Sequence, residues 1–131
     1  MATAGGQLRA ARVGDRLPSS LIRRERARRI DATAVVLPGA GPIGPYLDEL
    51  KAFRESFAAW DGRVRIAEPD GEVAHRLLVV DRYHQVHQVA DGASVDQLPR
   101  ARELEQWFRH LATMCPECGV PDEPLGRGWT P

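Results

Sequence analysis

The run ATAVVLP (32–38) constrains this chain more than any other stretch. It is short, rich in β-branched residues, and offers no alternating polar face. A strand of that kind must be covered on both sides. LLVV (77–80) repeats the pattern, so two strands are expected to lie inside a sheet. Helices are the natural cover. After Pro38, the residues Gly39, Gly41, Pro42, Gly44 and Pro45 forbid regular structure. Pro45 then suits the first position of a helix. Tyr46, Leu50, Phe53, Phe57 and Trp60 follow helical spacing up to Asp61-Gly62. From Pro99 a second helix is expected, with Ala101, Leu104, Phe108, Leu111 and Cys115 as its buried stripe and Trp107 beside it.

Between the helices lie weaker strands. In RVRIA (63–67), Val64 and Ile66 point one way and Arg63 and Arg65 the other, the pattern of a half-buried strand. EPDGE is a turn. YHQVHQV (83–89) is more polar and belongs toward an edge. The order is strand, helix, strand, strand, strand, helix. A helical connection makes the first two strands parallel, and the short link makes the last two antiparallel. The expected class is α/β, with a mixed sheet of about four to five strands and flanking helices. At 131 residues the chain fits one domain. Its expected parts are a flexible N-terminus (1–12), a folded unit (13–114) and an irregular C-terminal tail (115–131). SSLIRRERARRI (19–30) reads equally as a capped helix or an edge strand.

Three segments resemble the redoxin and peroxiredoxin families, in the order those families use them. VGDRLP (13–18) resembles their opening Gly-Asp-x-x-Pro. VVLPGAGPIGPYLDELKAF (35–53) resembles their active-site strand, loop and helix. HRLLVVDRYHQV (75–86) resembles the following strand, with an Arg before an apolar run and then Asp. The resemblance covers residues 13–112 and implies a thioredoxin-like fold. It departs at the reactive position. Pro42 and Pro45 stand where thioredoxins carry Cys-x-x-Cys. Against the peroxiredoxin pattern Pro38 matches, Pro42 replaces Thr/Ser and Pro45 replaces the peroxidatic Cys. Residues 1–114 contain no cysteine, and both chemistries need a thiolate. Arg76 matches the arginine that steadies that thiolate, but here it has none to serve and is expected to be ion-paired. The loop is stiffened by its prolines. It suits a contact surface made of Pro42, Ile43, Pro45 and Tyr46, with Arg76 nearby. The expected function is that of a non-catalytic, partner-binding accessory subunit or assembly factor.

CPECG (115–119) resembles the knuckle of rubredoxins and zinc ribbons. A tetrahedral zinc site needs four ligands, and the chain has only Cys115 and Cys118 as thiols. His110 lies a little over one helical turn upstream and is the candidate third ligand. Three readings stay open: a reduced structural pair, a zinc site completed by histidines or a second chain, and a thiol–disulfide couple. The last makes Cys115 and Cys118 the runner-up catalytic residues of a thiol oxidoreductase. No cofactor is expected, with zinc the alternative.

The charge is unevenly placed. Residues 1–30 hold eight arginines against Asp15 and Glu25, while residues 31–131 hold ten basic and sixteen acidic residues. The basic segment therefore suits either the acidic body or an anionic partner. It lacks the interleaved aromatics of a base-stacking surface, so nucleic acid is not the expected partner. A protein partner or a further copy of the chain is. Asp48, Glu49 and Glu55 are expected on a solvated helix face. His84 and His87, three apart on a strand, would face opposite ways. No run is long enough to span a membrane and no secretory signal follows Met1, so the cytoplasm is the expected location.

Overall fold

A computed structural model describes residues 4–22 and 32–114. Four strands form one sheet: β1 (Ala32–Leu37), β2 (Gly62–Ile66), β3 (His75–Val80) and β4 (Val86–Gly92). Their order is β2-β1-β3-β4. β1 runs parallel to β2, Ala32 opposite Gly62, and antiparallel to β3, Thr33 opposite Val80. β3 and β4 are antiparallel, with an irregularity between Val79 and Val80. The two apolar runs are the two inner strands. Every residue of β1 is buried.

Alternation along the strands sorts their side chains to two faces. Ala32, Ala34, Val36, Leu77 and Val79 face one layer, built from α3 (Gly44–Ala52), α4 (Arg54–Ala58) and α5 (Ala101–Thr113). Tyr46, Leu50, Phe57, Leu104, Phe108 and Leu111 complete it. Phe57 meets Phe108 edge-on at 5.0 Å between ring centroids. Val35, Leu37, Leu78, Val80 and Val86 face the other layer, where Leu8, Ala11, Leu17, Leu21 and Ile22 cover them. Those residues come from α1 (Ala4–Ala10), α2 (Ser19–Ile22) and the segment between. Sheet and covers form a three-layer α/β unit.

Two expectations need correction. Residues 4–12 are not a loose leader. They form α1 and its exit, with Leu8 buried on the sheet. The chain from Pro45 to Trp60 is not one helix. It breaks at Phe53, where φ −96° and ψ 6° end α3 and start α4. No Pro or Gly marks that break in the sequence. Of the segment 19–30, the first four residues form α2; its arginine-rich remainder lies outside the described residues.

The link from β2 to β3 is short, residues 67–74, and must pass the C-terminal end of β1 to reach β1's other side. It does so directly over Gly39. A Cβ there would fall inside the backbone of Val73 and Ala74, so the position takes only glycine.

Candidate functional site

The loop after β1 is fastened at each residue near its root. Pro38 O accepts from Arg9 Nη2 at 3.1 Å. Gly39 N donates to His75 Nδ1 at 2.7 Å, and Ala40 N donates to Val73 O at 3.1 Å. Arg9 also donates to Ala74 O and pairs with Asp70, Nε to Oδ2 at 3.0 Å. One arginine of α1 thus holds the loop, the crossover and their junction together. Its hydrogen bond is the main reason that the Asp70 carboxyl titrates below its ordinary range. His75 is fully buried. Its Nδ1 accepts, so the ring's hydrogen sits on Nε2, which has no partner among the described residues and lies beside Gly41.

The outward part of the loop is small and uncharged. Pro42, Gly44 and Pro45 are exposed, and Ile43 is half-buried against the core. Tyr46, expected on this surface, is only 2% exposed. Its hydroxyl donates to Pro99 O at 2.6 Å, which ties α3 to the approach of α5. Burial first, and the Glu49 carboxylate next, push the Tyr46 phenol well above its ordinary value. Arg76 is likewise committed inward. It pairs with Asp91 at 2.8 Å and donates to Leu8 O and Ala11 O at 2.9 Å, satisfying carbonyls at the end of α1. Both side chains are turned inward. Glu49, read as solvated, accepts from Ala101 N at 2.8 Å and pairs with Arg100 at the start of α5.

A second feature was invisible in the sequence as a site. A groove of about 460 Å³ runs between the α3–α4 pair and β2. Leu47, Leu50, Phe57, Val64 and Ile66 make its apolar lining, and Lys51, Arg54, Asp61 and Arg63 its charged rim. Leu50, Phe57, Val64 and Ile66 read in sequence as inward-facing positions; Leu50 and Phe57 are buried, and Leu47 and Val64 are partly buried against the core. Ile66 is the exception, at 47% exposed. An exposed apolar residue at the end of an alternating strand, with Lys51 and Arg54 near one another in the preceding helices, was the available signal.

The histidines separate. Asp81 is buried at the β3–β4 turn. Its Oδ1 accepts from Tyr83 N and Gln85 N, at 2.8 and 3.0 Å, and its Oδ2 lies 2.7 Å from His87 Nε2. His84 is buried in that turn with φ 69°, off the strand. Trp107 lies edge-on to both His87 and the exposed His110, at 6.4 and 6.0 Å. No group of three or more potential metal ligands occurs among the described residues. Cys115 and Cys118 lie outside them, so the zinc and redox readings of that pair have no geometry here. No helix among the described residues is long and apolar enough to cross a membrane. No protein-family model, curated protein or solved structure matches the chain.

Proposed function

We propose that this chain is a non-catalytic protein of the thioredoxin-like type that works by holding a protein partner, as an accessory subunit or assembly factor. The loop after β1 carries the reading. Residues 38–45 contain no nucleophile, and Pro38 O, Gly39 N and Ala40 N are already bonded inside the protein. The crossover packs on Gly39 and fixes the root of the loop, while Pro42 and Pro45, where the resemblance would place a reactive group, carry none. Strand order, a parallel first pair and antiparallel partners thereafter support the thioredoxin-like assignment. The same scaffold with a sealed loop is suited to presenting surfaces rather than running thiol chemistry.

Affinity capture with the full chain in its native host tests this, alongside thiol–disulfide and peroxide turnover assays. A stoichiometric protein partner is expected, retained by the Cys115→Ser/Cys118→Ser double variant, with no turnover above background. Sustained turnover that disappears in Cys118→Ser would reverse the assignment and make the chain an oxidoreductase.

A further inference from the structure

The geometry points to the groove beside β2 as the docking site for an extended acidic segment of a partner protein, added to the sheet as a strand next to β2. The inference rests on the partner-binding reading and names its surface. It begins with the backbone. Ala67 N donates to Val36 O and Ala32 N donates to Asp61 O, so the odd-numbered residues of this stretch turn their peptide groups toward β1. Peptide groups alternate along a strand. Gly62, Val64 and Ile66 therefore turn theirs outward, and among the described residues β2 pairs with β1 alone. An open edge of this kind is a template for one more strand unless something blunts it. β2 carries no proline and no bulge, and its two arginines reach across the opposite face, Arg63 to Thr33 Oγ1 and Arg65 to Leu21 O, with Arg63 also bordering the groove.

The side chains say what that strand would carry. On the groove face, Val64 and the exposed Ile66 continue into the apolar lining formed by Leu47, Leu50 and Phe57. A strand laid alongside would drop every second side chain into it, and those should be apolar. Its remaining side chains would lie on the other face beside the positive charge of Arg63 and Arg65, which already donate to Thr33 Oγ1 and Leu21 O, and carboxylates there are favoured by charge. Lys51 and Arg54 stand exposed at the rim and form no ion pair among the described residues. The edge and groove thus call for alternating acidic and apolar residues over about five positions, the length of β2. A second copy fits badly. Pairing β2 with itself would set Arg63 and Arg65 of one copy against those of the other.

The probe is a blocked heptapeptide, Glu-Val-Glu-Leu-Glu-Val-Glu, titrated into the isotope-labelled full chain. Lys-for-Glu and Ser-for-apolar versions serve as controls. Amide exchange at Val64 and Ile66 is expected to slow with the acidic peptide and not with the controls. Lys51→Glu/Arg54→Glu, both at exposed helix positions, should weaken binding by about tenfold or more. Ile66→Pro, which removes one outward donor, should abolish the protection. Binding unchanged in the charge-reversed variant, perturbation confined to other surfaces, or no response to the acidic peptide would overturn the proposal. So would protection of these amides in the unmixed chain, because another occupant would then hold the edge. A partner captured equally well by Lys51→Glu/Arg54→Glu removes this surface and leaves the partner-binding reading standing. Peptide binding here with no partner captured does the reverse.

Discussion

At Gly62 the chain has no room for a single additional carbon. A Cβ there would fall inside the ring of Phe108, which itself packs on Phe57. Gly62→Ala should therefore destabilise through overpacking by about 1–3 kcal/mol, read as a lower urea midpoint with an unchanged slope. A midpoint equal to that of the parent would mean that Phe108 gives way freely. Tyr46 is a second case in which one atom decides. Its hydroxyl is the donor to the buried carbonyl of Pro99. Tyr46→Phe leaves that acceptor unsatisfied, at a cost of about 1–3 kcal/mol at neutral pH. The phenol's pKa is raised in the folded state. Its contribution is thus complete below the unfolded phenol's value of about 10 and is lost as pH rises beyond it. Stability measured from pH 8 to 11 should fall more steeply for the parent than for Tyr46→Phe. Parallel curves would contradict the assigned cause. The sequence placed Tyr46 on an apolar helix face and, by resemblance, on a contact surface. Only the first is observed, because the partner that fixes its direction lies 53 residues away.

At the scale of elements, the inner strands were legible because an unbroken apolar run can satisfy only one environment. Helix α5 was legible for a similar reason: its stripe Ala101, Leu104, Phe108, Leu111 recurs at helical spacing and all four are buried. Helix α1 was not. AGGQLRA has two glycines and one large apolar residue, poor material for an isolated helix. It stands because Arg76 takes two carbonyls near its end and Arg9 binds the crossover. Local propensity cannot report such distant caps. The Arg9–Asp70 pair gives this a pH signature. Asp70 titrates low when folded, so its contribution is present above the unfolded carboxyl's value of about 3.9. It is lost as pH falls through the lower, folded value. The pair is partly solvated, so the effect is small. Asp70→Asn should reduce the acid-induced loss of stability below pH 4, and faster amide exchange should appear at Gly39 and Ala40 first. Exchange that quickens uniformly over the sheet instead would show that the clasp does not act locally on the loop.

At the scale of the whole molecule, the sheet's two faces make opposite demands on the sequence. One is covered by three helices carrying Phe57, Phe108 and Tyr46. The other is covered by a short N-terminal stretch in which Leu8, Leu17, Leu21 and Ile22 do most of the covering. The β2 groove arises where the first cover stops short of the sheet's edge. It is assembled from α3, α4 and β2, which is why no single stretch announces it. The thinner cover should be as necessary as the thicker one, since β1 and β3 are buried from both sides. Leu8→Ala removes a side chain that is 3% exposed and should cost about 2–5 kcal/mol. Val13→Ala, at a position 64% exposed a few residues on, should stay within about 0.5 kcal/mol of the parent. If the three layers unfold as one unit, the Leu8→Ala transition shifts as a whole and is the same by far-ultraviolet circular dichroism and by tryptophan fluorescence. Trp60 and Trp107 pack with the opposite layer, and Trp129 lies outside the described residues, so in a Trp129→Phe background the fluorescence signal tests whether damage under α1 is felt across the sheet. A fluorescence midpoint that stays at the parent's value while the dichroism midpoint falls would show that α1 peels away alone, leaving the helices over the groove in place.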